Sequence, residues 1–174
     1  MYLLQTLRTD LEKYCPVEGL EDQFVNILLI GQVGSGKSSF FNSVNSVFRG
    51  RITNKARSGG AEHSLTTTFR MYKIKSKETG YPLKFRLCDT RGLEEGHSLD
   101  IVDFVSILDG HITDGYEFNP YLSVTPDSHG YNKSPAVGDR IHCIAFVMDS
   151  CTLDVFPDKL LHTLKSLQQK ANQR

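Results

Sequence analysis

The chain has 174 residues, 39% of them apolar and 23% charged, which suits one globular domain with a sizeable core. Lysine plus arginine equal aspartate plus glutamate at 20 each, so no net field draws the chain to nucleic acid or anionic lipid. The longest apolar run, Phe24 to Ile30, is far too short to span a bilayer. The cysteines at 15, 88, 143 and 151 also lack the spacing of a metal site or a disulfide framework.

Leu3, Leu4, Leu7, Leu11 and Tyr14 recur at helical spacing and predict an amphipathic helix over residues 1–14. Gln5 and Arg8 break the apolar stretch that a signal peptide would need, so a reducing, cytoplasmic setting is expected. Residues 1–22 therefore read as a helix and linker, and 23–174 as the domain proper. Phe24 to Ile30 is nearly continuous in apolar and branched residues, as in a strand buried on both faces of a parallel sheet. A glycine-rich turn follows, then a helix with Phe40, Val44, Val47 and Phe48 along its apolar stripe. Residues 49–63 read as a mobile surface loop. Two strands, Thr67 to Ile74 and Leu83 to Asp89, are joined through a hairpin at Lys77 to Gly80. A short helical pattern spans Leu99 to Leu108, and an irregular stretch with three prolines runs from Gly110 to Gly138. Ile141 to Met148 reads as another buried strand, with Cys88 and Cys143 as small buried hydrophobes. Leu160, Leu161, Leu164 and Leu167 mark a final helix from Phe156 to Gln173. The expected fold is an α/β open sheet with crossover helices.

The turn between the first strand and its helix reads Gly31-Gln32-Val33-Gly34-Ser35-Gly36-Lys37-Ser38, which fits G-x-x-x-x-G-K-[ST]. Phosphates packed against main-chain N–H groups leave no room for side chains, which accounts for Gly31, Gly34 and Gly36. The amides of about Gly34 to Ser39 point inward and open a helix whose amino end favours anions, and Val33 and Ser35 join the glycines, Lys37, Ser38 and Ser39 as candidate nucleotide-binding residues. Lys37 would bridge the β- and γ-phosphates, and Ser38 would give its hydroxyl to Mg²⁺. About 50 residues on, Asp89-Thr90-Arg91-Gly92 closes a strand. Its aspartate would hold Mg²⁺, and Gly92 would offer an N–H to a γ-phosphate. Thr66-Thr67-Thr68 precedes the intervening strand. Thr67 or Thr68 is the candidate third oxygen ligand of the metal.

In the order P-loop, threonine, D-x-x-G, the chain resembles a Ras-like G domain, which implies GTP or GDP with Mg²⁺. Val33 stands where efficient small GTPases place glycine, and Leu93 where they place the glutamine that orients the attacking water. Slow hydrolysis is therefore expected, unless Arg91, Glu94, Glu95, His97 or a second subunit supplies the missing group. Arg91 is the candidate with a position inside the turn.

The run Gly34 to Val44 is more specific than a bare P-loop, as are Leu87-Cys88-Asp89-Thr90, Tyr116-Glu117-Phe118-Asn119-Pro120 and Asp139 to Phe146. Together they resemble the interferon-induced protein 44 and 44-like family over about residues 24–165. The resemblance implies a cytoplasmic, interferon-inducible GTP-binding protein linked to antiviral defence, with residues 110–138 as a family insertion. No [NT]-K-x-D base-reading motif follows the strand at 141–148, and Asn132-Lys133-Ser134-Pro135 is out of order. The sequence thus reads as a partial G domain lacking its last strands, whose exposed sheet edge would either leave the chain marginally stable or pair with a second copy or a partner. Two further functions stand beside the GTP switch. One is a non-catalytic interaction module that keeps the fold with weak or no nucleotide binding. The other is an ATP-using P-loop enzyme, against which the threonine cluster and D-T-R-G argue. No protein partner is legible.

Overall fold

The computed structural model describes residues 2–17, 23–56, 67–94, 99–119 and 121–173. Thr66, His63, Glu95, His97 and Pro120 lie outside the described residues. The elements in chain order are α1 (Tyr2–Lys13), β1 (Val25–Ile30), α2 (Lys37–Arg49), β2 (Arg70–Lys75), β3 (Pro82–Asp89), α3 (Ile101–Leu108), β4 (Cys143–Phe146) and α4 (Asp158–Asn172). Short 3₁₀ turns occupy Val137–Asp139 and Ser150–Val155.

The four strands form one sheet in the order β2-β3-β1-β4. Both neighbours of β1 run parallel to it, and β2 runs antiparallel to β3. This is the open mixed sheet of a P-loop nucleoside triphosphatase fold, as expected. Alternate residues of β1 feed two cores, one on each sheet face. Leu28 and Ile30 pack with Cys88, Phe104, Ile107 and the buried leucines of α4, while Leu29 packs with Phe41, Phe48, Phe85 and Leu87.

Chain chemistry sets the element ends. Gly50 takes φ +64 after α2 and donates its N–H to the Val47 carbonyl, a left-handed stop that suits glycine. Asp100 caps α3 by accepting from the Val102 amide. The β2–β3 turn is held by Ser76, whose hydroxyl accepts from the Glu78 and Thr79 amides. The N-terminal helix docks on this turn through Glu12 to the Ser76 hydroxyl (2.8 Å) and Arg8 to Glu78 (3.3 Å).

Several boundaries differ from the sequence reading. In α2 the core position is Phe41, fully buried and stacked on Tyr72 at 4.1 Å, whereas Phe40 and Val47 are about half exposed. The sheet-facing stripe of α2 is set by Phe41, Val44 and Phe48, one residue out of step with Phe40. The second strand begins at Arg70, not Thr67, because residues 67–69 pair with the 115–118 segment instead. The strand at 141–148 is shorter than expected and is not buried. As the end strand it has a neighbour on one side only, so Cys143 is exposed and Phe146 partly so. Cys88, in the middle of the sheet, is buried as expected. The first part of the 49–63 loop is held rather than mobile. Asn42 donates to the Ala56 carbonyl (2.9 Å) and accepts from the Lys55 and Ala56 amides.

Below the sheet, Asn26 donates to the Gly138 and Arg140 carbonyls and accepts from Arg86 Nε at 2.7 Å. That buried amide locks the return of the 110–138 excursion onto the central strand. The excursion is itself ordered by Ile112 pairing with Tyr131 and by His111 stacked on the Tyr131 ring at 4.8 Å.

Candidate phosphate-binding site

The end of β1 delivers the chain into the glycine-rich turn, and α2 begins one residue after Gly36. Gly34 and Gly36 take φ +78 and +95, conformations that L side chains resist, and a methyl added at either would stand in open space. The helix start has no side-chain cap, and its first intrahelical bond is Phe40 N–H to the Gly36 carbonyl at 2.7 Å. The amides of Lys37, Ser38 and Ser39 therefore have no intrahelical acceptor and lie at the positive end of the helix dipole.

Gly31 serves a different need. A methyl there would run into the Val147 carbonyl oxygen and stand 2.7 Å from the Ser35 hydroxyl, so glycine is required by the passing end of β4. Gly92 is likewise pinned, since its missing Cβ would fall 2.7 Å from Val33. The two glycine-bearing loops are zipped together: Leu93 N–H donates to the Gly31 carbonyl (2.9 Å) and Val33 N–H to the Leu93 carbonyl (3.0 Å).

Lys37 is buried, and its ammonium donates to the Gly31 and Gln32 carbonyls at 3.0 Å each. Burial pushes its pKa down to about 8, with the nearby Asp89 carboxylate acting in the opposite direction. The Ser38 hydroxyl donates to Asp89 Oδ2 at 2.7 Å. Burial pushes the Asp89 pKa up, opposed by the Ser38 hydrogen bond, the Lys37 charge and the Thr90 amide. Asp89 Oδ1 is buried with no hydrogen-bond partner, as is the Ser35 hydroxyl. Burial thus penalises both charges. An anionic phosphate chain beside Lys37 and a hard dication beside Asp89 and Ser38 would relieve these penalties, so the donor set fits both groups.

The remaining candidates fall as follows. Thr67 is exposed and Thr68 half-buried, on the segment leading to Arg70, which stands opposite Asp89 across the β2–β3 pair. Arg91 binds Glu94 at 3.2 Å and lines a small cleft with Asp100, Asp103 and Asn119. Its Nε is buried without a partner. Leu93 is buried among Leu99, Phe104 and Phe69. Asn132 is spent on a local turn, accepting from the Ser134 amide and donating its own N–H to the His111 carbonyl. Sequence reasoning missed Asn42 and Asp103, both buried and both bonded to loop amides. A polar residue on an otherwise apolar helix stripe was the available signal.

Among the described residues no helix is long and apolar enough to cross a membrane. None of them forms a metal-ligand cluster of three or more His, Cys, Asp or Glu side chains either.

A strand, a glycine turn with two left-handed glycines, a buried lysine and a Ser38–Asp89 pair at the carboxyl ends of parallel strands define a P-loop GTPase-type domain. A sequence profile of the septin family matches residues 21–173, and the chain belongs to that family. It is similar to human Interferon-induced protein 44-like, at 41% identity over 166 residues, covering 94% of this chain and 36% of the relative. It is equally similar to human Interferon-induced protein 44, at 41% over 169 residues, covering 97% and 37%. Mouse Interferon-induced protein 44 is 39% identical over 167 residues, covering 96% and 38%. The resemblance to the interferon-induced protein 44 and 44-like family therefore holds along nearly the whole chain, which spans somewhat over a third of those relatives' length.

Proposed function

We propose that the chain is a guanine-nucleotide-binding switch domain that takes GTP or GDP with Mg²⁺ and turns GTP over slowly. The uncapped start of α2, with Lys37 and the Ser38–Asp89 pair beside it, carries this reading. The amides of Gly34 and of Gly36 to Ser39 would hold the phosphate chain, that of Ser35 being engaged by the Gln32 carbonyl, Lys37 would neutralise it, and Ser38, Asp89 and Thr67 or Thr68 would contribute oxygens to the metal. Guanine preference rests on the family. Slow turnover rests on Leu93, whose side chain belongs to the core and offers no hydrogen bond to an attacking water. Arg91 is engaged by Glu94 and lines the cleft with Asp100, Asp103 and Asn119, so a part for it in turnover would need its side chain to turn toward the phosphates. The names of the relatives support an interferon-induced protein, and an antiviral role in the cytoplasm is part of this proposal through the family resemblance alone.

Titration with a fluorescent GTP analogue tests the reading. Binding that needs Mg²⁺, yields to unlabelled GTP and GDP rather than ATP, and disappears in Lys37→Ala is expected. Binding unaffected by Lys37→Ala would refute it. Single-turnover hydrolysis by the isolated chain should be slow, and fast release of phosphate would refute the assignment to Leu93. A second reading, an interaction module with weak or no nucleotide affinity, is favoured by the Val33–Leu93 zipper, which engages loop amides in protein bonds. The same titration separates the two.

A further inference from the structure

The 110–138 excursion touches both loops that flank the phosphate site. On one side, residues 114–118 run antiparallel to 67–71. Phe118 N–H donates to the Thr67 carbonyl (3.0 Å), Phe69 N–H to the Tyr116 carbonyl (2.8 Å) and Gly115 N–H to the Phe69 carbonyl (2.9 Å). Asp114 adds a carboxylate oxygen on the Met71 amide at 2.8 Å. Tyr116 and Phe118 anchor this arm in the core beside Phe69.

On the other side, residues 123–124 are held by the first turn of α3. The Val124 amide donates to Asp103 Oδ1 at 2.7 Å, and the Ser123 hydroxyl donates to Asp100 Oδ2. Asp103 is buried, and Val124 is buried with Leu99 and Phe104. The cleft between this arm and α3 is closed by Arg91, from the D-T-R-G turn itself. Beyond Gly92, Leu93 is zipped to the glycine loop and shares the core of Phe69, Tyr116 and Val124.

The geometry points to a strap: residues 114–118 and 123–124 fasten the threonine-bearing approach to β2 to the start of α3, so that the two segments beside the phosphate site move as one body. Without such a tie, each would answer a γ-phosphate separately. With it, a shift of Thr67 is carried through Phe118 and Val124 to Asp103 and thence to the Arg91 turn. Asp103 is a positioning residue in this arrangement, since it holds Val124 and faces Arg91 without belonging to the phosphate cradle. The proposal rests on the P-loop reading only for the nucleotide that would drive the motion.

Amide hydrogen exchange on the intact chain tests it, with Phe118 and Val124 as reporters of the two arms. In the ligand-free chain the two amides should exchange with one common opening rate. Asp114→Ala and Ser123→Ala, made as separate variants, should each speed both amides, its own arm's and the other's, by about fivefold or more, the factor expected for one lost hydrogen bond. Both substituted side chains lie outside the phosphate cradle, so affinity for the fluorescent GTP analogue should stay near that of the parent chain. With Mg²⁺ and a non-hydrolysable GTP analogue, protection at Phe118 and Val124 should rise together. Independent opening rates, or a nucleotide response at Phe118 with none at Val124, would overturn the strap. Absence of nucleotide binding is seen separately in the fluorescence titration. It would overturn the P-loop reading while the ligand-free exchange still decides whether the two arms are tied.

Discussion

Replacing Lys37 by methionine should make the ligand-free chain more stable while abolishing nucleotide binding. The ammonium is buried, and burial lowers its pKa from 10.5 to about 8. A drop of that size corresponds to roughly 3 kcal/mol of penalty on the charged form. The sign follows from proton linkage. Because the folded pKa lies below the unfolded one, the penalty is fully present at pH below about 8 and fades as pH rises toward the unfolded value. Methionine keeps the unbranched stem and removes the charge. The two carbonyls it abandons keep other donors, Leu93 N–H at Gly31 and Ser35 N–H at Gln32, so no acceptor is orphaned. After discounting for the two lysine hydrogen bonds, a gain of up to about 2 kcal/mol is expected at pH 7. Urea denaturation with a chelator and no nucleotide measures it, beside fluorescent GTP-analogue titration of the same samples. A methionine variant less stable than the parent, or one that binds the analogue equally well, would refute the reasoning.

Asn42→Ala should destabilise the chain by about 2–3 kcal/mol in denaturant titration, because it strands the buried Ala56 amide and carbonyl. Gly31→Ala should cost roughly 3 kcal/mol or more by the same measurement, since its methyl meets main-chain atoms of residue 147. Gly34→Ala meets no atom and pays only for its positive φ, about 1–2 kcal/mol, so its main effect should be on nucleotide affinity. Leu93→Gln should not restore rapid hydrolysis. It would place an amide in the core at a cost of about 3 kcal/mol, visible as a lowered melting temperature without faster phosphate release. The His142 pKa is depressed by burial and by Arg86, and its Nδ1 accepts from the Asn26 amide. The unfolded chain then binds that proton more readily, so stability should fall as pH drops through about 6.5, and less steeply in His142→Asn.

The geometry of the candidate phosphate cradle was legible because its chemistry is local. Glycines, lysine and serine at fixed offsets, between an apolar strand and a helical stripe, leave few other foldings. The strand-end aspartate was legible for the same reason. Val44 and Phe48 of the α2 stripe were legible, whereas Phe40 and Val47 were not core positions: Phe40 and Phe41 are adjacent and equally apolar, and only the sheet decides which one faces inward. The strand at 143–146 read as buried from its composition, yet burial of a strand depends on neighbours that composition does not specify. Thr67 and Thr68 were found by type, but not their pairing with residues 117 and 118, some 50 positions away. Nor could the role of Asp103 be read, because its partner Val124 lies in a stretch with no periodicity at all.

Two departures from an efficient hydrolase also come to one packing choice. Gly92 is pressed against Val33, and Leu93 is drawn into the core that holds Phe69, Tyr116 and Val124. A glutamine at 93 would have to leave that core to reach a water, and a glycine at 33 would loosen the contact that sets Gly92. The 110–138 excursion is what completes the core around Leu93, so the segment proposed to tie the two loops would also be the one that keeps position 93 away from an attacking water. On the proposed reading, a domain built this way would hold its nucleotide state rather than discharge it.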